Sequence, residues 1–539
     1  MSVTPLREEL GMMETAAAAS PKTRRALAWG LVVVALAIFY FHARIYWAWT
    51  EDDAFITYRY ARNVASGHGF VFNPGERVEG YSNFVWVLLM AAVERSGNDP
   101  ERLSKIIGLA AGMLSLVLSW RLVQRLLPRH GLTSVLAPYY LAISPVLVTH
   151  SVAGLESSTF AMLLIAAVLV AVQPRPPRLR HSALLLLLLL LLSASRPEGP
   201  LFAFLILLLR GTLMVREWAF TTPLGRFADA GEAQAGRRAV LRETLAWVVL
   251  FGAYYAWRWS YFDDPFPNTF YAKTNGGLHG VIDGVQYTLD FMRDGGGVLF
   301  MAVALVPMLL RGASAAYWMG LTLLLAYTGF VVVAGGDWMY HYRFYAHLLP
   351  LLAAFLAAGI EVVLALAQPK TLRASLLYAT TALVLLATLV GIGNTELRTA
   401  RIVLPAVQSH NYLSQNYEEL GLWFREHSDP DVTVAISDVG ALGYFSERRV
   451  LDMFGLIDPH IARLRGRIHY KADPRYVLSR EPDYIVLVSL NDEGAGYSFQ
   501  RIPDYTMNAL PEFHEQYELL RTTPQHWHNE YVLVYRRKV

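Results

Sequence analysis

Ionisable side chains in this 539-residue chain gather in a few short stretches. The first is "WTEDDAFITYRYARN", where Glu51, Asp52 and Asp53 follow an apolar run and precede Tyr58, Arg59, Tyr60 and Arg62. Neighbouring carboxylates raise one another's pKa, so one of them could accept a proton near neutral pH. Acids also complement the dipole at a helix start, so a helix cap and a catalytic base both fit these residues.

Five more stretches combine polar chemistry with turn residues. "FNPGERVEGYSNF" carries Tyr81 and Asn83 after two turns, and "HSVAGLESSTF" places Glu156 at a helix start. "SASRPEGP" holds Arg196 and Glu198 between two short apolar segments. Ionisable residues at membrane depth are costly and tend to be functional, although a structural salt bridge also fits this pair. "DDPFPNTFYAKTNGG" supplies Asn268, Tyr271 and Lys273, and "GGDWMYHYRFYAH" supplies Asp337, His341 and Arg343. Arginine binds phosphate as a fork and lysine as a point charge, and both also anchor to lipid headgroups. No metal-ligand spacing, P-loop or nucleophile elbow is present, and "SDVGALG" does not match G-x-G-x-x-G. The absence of cysteine excludes disulfides and thiolate chemistry.

The elements that must position these residues are mostly apolar. The chain is 54% hydrophobic and only 17% charged, the balance of a membrane protein, and its net charge of +3 gives no reason to expect nucleic acid. Eleven spanning segments are expected, at 27–47, 105–127, 134–150, 157–173, 182–195, 199–215, 242–262, 297–311, 315–334, 344–367 and 373–393. Asn83–Val93 is too short to span and reads as an interfacial or re-entrant helix. With this count, Lys22, Arg24 and Arg25 lie inside, together with the arginine-rich loops around Arg125, Arg178, Arg237 and Lys370. The polar stretches above then fall outside, in loops 48–104, 150–156, 193–199, 263–296 and 335–343. Residues 1–394 form the membrane domain and 395–539 a soluble α/β domain. In the latter, Val432–Phe445 starts as a strand and enters a glycine turn, Asp483–Ser489 and Glu530–Arg536 read as strands, and Asn416–His427 as a helix.

Outer carboxylates facing outer cations, in a multi-span chain without a nucleotide motif, suggest a polyprenyl-phosphate-linked donor. The cations would stabilise the phosphate leaving group and an aspartate would take the acceptor's proton, inverting the anomeric centre. At these residues the chain resembles the GT-C superfamily of polyprenyl-phosphate-sugar glycosyltransferases. Within it the likeness is to the mycobacterial terminal arabinofuranosyltransferase family and its bacterial relatives. The resemblance rests on "DDAFITYRYARN", "GHGFVFNPGERVEGYSNF", "GLESSTF", "RPEG", "PNTFYAK", "GGDWM…RF" and "SDVGALGYFSERRVLDMFGLIDP", in that order along the chain. It departs from the family pattern where Tyr340, His341 and Tyr342 stand between Met339 and Arg343, a change that bears on sugar or acceptor preference.

The resemblance implies a polytopic α-helical protein with about eleven transmembrane helices and an extracytoplasmic C-terminal α/β domain, set in the bacterial inner membrane with its N-terminus inside. It implies Asp52 or Asp53 as general base, with Asp52 favoured as the first acid of the pair. Lys273, Arg343, Arg196 and Arg59 are then expected at the donor phosphate. Tyr81, Asn83, Glu156, Glu198, Asn268, Tyr271, Asp337 and His341 are expected around the substrates. The expected partners are the lipid-linked sugar, a glycan or protein acceptor and the bilayer; no cofactor is indicated. A transporter or flippase of a lipid-linked glycan is the competing class. It would place ionisable residues in mid-span in both halves, whereas these lie at outer helix ends.

Overall fold

The computed structural model describes residues 21–538 apart from 128–131, 173–178, 216–229, 275–276, 295–303, 305–314, 340, 367–403, 467–468, 492–493, 495 and 525–529. Apolar helices dominate the first part, and a small mixed sheet closes the second. Among the described residues, three helices are long and apolar enough to cross a membrane: Lys22–Ile45, Pro100–Leu126 and Tyr317–Ala334. The pair Leu132–Ile143 and Pro145–Val152 is long and apolar enough when taken together, as a broken span or a re-entrant loop, and bends by 55° where Pro145 interrupts the backbone hydrogen bonds. Ser157–Ala171, Leu179–Ser195, Gly199–Thr212 and Leu349–Val363 are apolar but shorter than the ~20 residues a straight span needs. The expected count of eleven is therefore not established. The candidates at 297–311, apart from Ala304, and at 373–393 lie outside the described residues.

Local chemistry sets the helix ends. Asp99 accepts from the Glu101 N–H at 2.9 Å and Pro100 takes the first helical position, so Pro100–Leu126 starts sharply. The leucine run belongs to Leu179–Ser195, which turns at 196–198 into Gly199–Val215 as a helical hairpin. Phe41, Val249, Leu325 and Val333 expose large apolar side chains, an arrangement suited to lipid rather than water.

The sheet runs β2-β1-β3-β5-β4, with β1 Thr433–Ile436, β2 Arg449–Asp452, β3 Tyr484–Ser489, β4 Tyr517–Pro524 and β5 Tyr531–Arg537. β1 pairs parallel with β2 and β3, and β5 antiparallel with β3 and β4. The three strands expected from sequence are present; β2 and β4 were not expected. Side chains alternate between two cores. Ala435, Leu451, Ile485, Leu487 and Leu533 face one, against Val477, Met507 and Phe513. Val434, Ile436, Val450, Val486, Val532 and Val534 face the other.

That second core is shared with the first loop. Phe55, Tyr58, Tyr60, Phe72, Trp86 and Met90 pack into it beside Tyr417, Leu420 and Phe424 of the Leu404–His427 helix. The acidic helix, Asp52–Ala65, is consequently buried from Ala54 through Ala61 rather than amphipathic on a membrane surface. Phe84–Arg95 buries Trp86, Val87, Met90 and Val93 in the same core and turns Leu88 and Leu89 outward. Loop 48–104 and the C-terminal domain are thus one packed unit.

One polar contact fixes how they meet. The Asp52 carboxylate accepts from the backbone N–H groups of Gly440 at 3.0 Å and Ala441 at 2.8 Å, at the start of the short helix Gly440–Ser446. A Cβ on residue 440 would lie 2.0 Å from the Asp52 carbonyl oxygen, so glycine is required for the approach. Asp52→Ala leaves two buried N–H groups without an acceptor and is expected to cost about 1–3 kcal/mol. Thermal unfolding of the purified protein measures this, and an unaltered melting temperature would refute the role.

Candidate functional site

Asp53 follows Asp52 in the helix, and a step of about 100° points it away from the Gly440 contact. The charges acting on it are Lys273, Arg343, Asp337 and His469. Burial raises the Asp53 pKa, and Lys273 and Arg343 only partly oppose that rise. Among the described residues no hydrogen bond or ion pair engages its carboxylate. Asp52 differs. Burial and then Asp438 push it up to about 7, against the two N–H groups that grip it.

Backbone geometry in loop 335–343 brings the cations. Gly335, Gly336, His341 and Tyr342 all have positive φ, at 86°, 75°, 56° and 51°. Gly336 packs so closely on Tyr287 that a Cβ would lie 2.8 Å from the tyrosine Cβ. The resulting bend returns Arg343 onto Asp337 as a two-point pair, Nε–Oδ2 2.5 Å and Nη2–Oδ1 3.1 Å. Burial would raise the Asp337 pKa, but Arg343 and then Lys273 hold it below the ordinary aspartate value. Lys273, near the end of Asn268–Thr274, has no hydrogen bond or ion pair among the described residues. Its side chain reaches solvent, yet protein surrounds it widely enough that desolvation, then Arg343, lowers its pKa.

A second polar network supports the first. Arg196 donates to Glu198 at 2.6 Å and pairs with Glu156, whose other oxygen accepts from Asn83 at 2.8 Å. Asn83 donates to Thr57 at 3.1 Å, one helical turn beyond Asp53. Burial and then the two glutamates act on the Arg196 guanidinium, with a net rise in its pKa. The network holds the acidic helix against the Ser157–Ala171 helix and the 196–198 turn; Glu156 precedes that helix without capping it.

Other expected site residues have structural partners. Arg59 is buried and donates to the carbonyls of Phe72 at 3.2 Å and Arg448 at 3.3 Å, which turns it away from a phosphate role. Asn268 donates to the carbonyls of Gly455 at 2.9 Å and Leu456 at 3.0 Å, tying its helix to the C-terminal domain. Tyr271 donates to Asp264 at 2.6 Å. Tyr81 stands edge-on to Tyr60 at 4.8 Å, with its hydroxyl buried and unpartnered. His341 Nδ1 meets the Thr149 hydroxyl at 2.8 Å.

Two further residues stand near the cluster: Glu51, which the sequence offered as one of three neighbouring acids, and His469, which it did not single out. Glu51 is buried with Oε1 unpartnered, and burial, then Asp53, raises its pKa well above the usual glutamate value. His469 comes from the C-terminal domain, in a stretch with no motif spacing to mark it. A separate cleft of about 340 Å³ lies between the first loop and β2, lined by Asn73, Glu76, Arg77, Asp458, Tyr476 and Arg480; it includes none of Asp53, Lys273 and Arg343.

Comparison with known proteins agrees with this architecture. Residues 408–535 match a family described as a domain of unknown function, DUF8728. No curated protein matches by sequence. Among solved structures, the apo Archaeoglobus fulgidus oligosaccharyltransferase superposes with a TM-score of 0.51 at 12% identity, covering 86% of this chain and 69% of that one. ArnT from Cupriavidus metallidurans bound to undecaprenyl phosphate gives 0.50 at 13%, covering 94% and 98%. The arabinofuranosyltransferase AftD from Mycobacteria gives 0.50 at 12%, covering 97% of this chain but 40% of AftD. At these identities the likeness shows the fold alone, one that this chain shares with these three structures.

Proposed function

We propose that the chain is an inverting membrane glycosyltransferase that moves a sugar from a polyprenyl-phosphate donor to a hydroxyl of a cell-envelope glycan or protein. The reaction takes place on the outer face of the bacterial inner membrane, with the N-terminus inside. The observation that carries this reading is selective pairing. Asp337–Arg343, Glu156–Arg196–Glu198 and Asp52 are all satisfied, whereas Asp53 and Lys273 have no partner among the described residues. A fold that pairs Asp337 with Arg343 and Arg196 with two glutamates, and leaves Asp53 and Lys273 open, supports a ligand between them.

In this reading Lys273 and Arg343 receive the donor phosphate, and Arg343 is oriented for it by Asp337. Arg196 lies further back, electrostatically coupled to both cations. The acceptor oxygen attacks the anomeric carbon opposite the phosphate. As the C–O bond to phosphate breaks, Asp53 takes the hydroxyl proton and the cations hold the polyprenyl phosphate that leaves. The raised Asp53 pKa makes it a stronger base than a surface aspartate. The undecaprenyl phosphate held by the ArnT structure supports the donor class. The AftD likeness and the family resemblance make arabinofuranose the first sugar to assay.

Asp53→Asn is expected to lower transfer from a polyprenyl-phosphate sugar by about 10²–10⁴-fold with little change in melting temperature. Asp52→Asn is expected to show the reverse balance, losing stability more than turnover. Full activity in Asp53→Asn would remove the proposed base.

The pH profile is a further check. A base must be ionised, and burial raises Asp53, so kcat/KM should fall on the acid side above the ordinary aspartate range. Lys273 must be charged and its pKa is lowered, so the alkaline limb should begin below the ordinary lysine range. Steady-state rates across pH measure both limbs, and Lys273→Met should remove the alkaline one and weaken donor binding.

A further inference from the structure

Among the described residues, His469 is the imidazole that the C-terminal domain brings near the Asp53 cluster, and its setting is unusual in three respects. Its backbone lies in the left-handed region at φ 70°, uncommon for a residue with a Cβ although histidine enters it more readily than most. Its ring is clamped perpendicular to Phe454, centroids 4.6 Å apart, and edge-on to Trp338 at 5.8 Å. Trp338 directly follows Asp337, so the ring leans on the same loop that presents the Asp337–Arg343 pair. Thirdly, among the described residues neither ring nitrogen has a hydrogen-bond partner.

The groups that act on this imidazole are Asp53 and Lys273 from the membrane half, and Asp438 and Arg501 from the C-terminal domain. Asp438 is already engaged by Arg501 and by the Tyr417 hydroxyl, the latter at 3.0 Å. His469 is therefore a fixed ring, its nitrogens unpartnered among the described residues, within electrostatic reach of the open Asp53 carboxylate. Strained backbone of this kind persists where the surroundings hold it, and an observed outlier at a site points to use. A ring packed only to fill space would need neither the strain nor the polar nitrogens.

Resting on the glycosyl-transfer reading, we propose that His469 binds the acceptor: its imidazole hydrogen-bonds the incoming hydroxyl group and directs it at Asp53. The C-terminal domain thereby supplies the acceptor side of the site, while Lys273 and Arg343 supply the donor side. Burial lowers the His469 pKa, which keeps the ring neutral and able to accept or donate one hydrogen bond.

The test uses the full-length protein in detergent, a farnesyl-phosphoryl sugar as donor and an octyl glycoside as the hydroxyl acceptor. His469→Gly keeps the left-handed backbone and removes the ring. His469→Asn keeps both the backbone tolerance and a hydrogen-bonding group. His469→Gly is expected to raise the acceptor KM about tenfold, with the donor KM unaltered, in line with loss of one hydrogen bond. Asn should restore part of the loss. An acceptor KM equal to wild type in a folded His469→Gly protein overturns the proposal while Asp53-dependent transfer stands. If His469→Gly does not fold, an acceptor KM in His469→Asn raised above wild type with the donor KM unaltered supports it, and an acceptor KM equal to wild type in that variant overturns it. Absence of any transfer by the wild-type protein overturns the glycosyl-transfer reading and this assignment with it.

Discussion

The arrangement depends on one carboxylate reaching across 388 residues of sequence to a pair of backbone N–H groups. Asp52 sits at the first turn of one helix and closes the first turn of another, so the two helix starts abut. Both partners benefit: the short Gly440–Ser446 helix gains an acceptor for its open N–H groups, and the acid gains donors for its charge. With Asp52 fixed in this way, the next residue has no freedom of position. Asp53 is aimed by its neighbour's structural commitment.

The same division of labour extends through the site. Charges that hold the scaffold are paired and deep, as Arg196 is with Glu156 and Glu198. A buried pair of this kind is poor evidence for stability but good at fixing geometry, because either member alone would be an uncompensated charge. Asp53 and Lys273 carry no such ties among the described residues. Adjacent acids in one helix thus have opposite uses, and only their surroundings distinguish them.

Much of the framework could be read from sequence. The apolar runs from 27 to 215 all became helices where described, because runs that long and that apolar have few other ways to satisfy their backbone. β1, β3 and β5 were visible as apolar runs. β2 was not, because Arg449–Asp452 is only four residues long and takes its strand character from β1 beside it. β4 was not, because its exposed side chains give no core-facing alternation. The acidic stretch announced itself, but which aspartate faced which partner did not. That choice depends on Gly440, whose missing side chain matters only once the chain has folded back. Arg59 and Asn268 look like ligands for a phosphate or sugar until their backbone carbonyl partners are seen, and carbonyls leave no mark in a sequence. His469 had neither spacing nor company to single it out.

The hydrophobic core shared by residues 54–93 and the C-terminal domain has a consequence for how the protein is made. Phe55, Tyr58, Trp86 and Met90 are synthesised more than 300 residues ahead of Val434, Val486 and Val534, which cover them. Until then an apolar surface and the Asp52 carboxylate must wait, and contacts so distant in sequence form slowly. The site therefore cannot be assembled in stages along the chain. It is completed only when the last strands arrive, so a chain stopped short of them would hold the apolar helices without the cover over the Asp52–Ala65 helix.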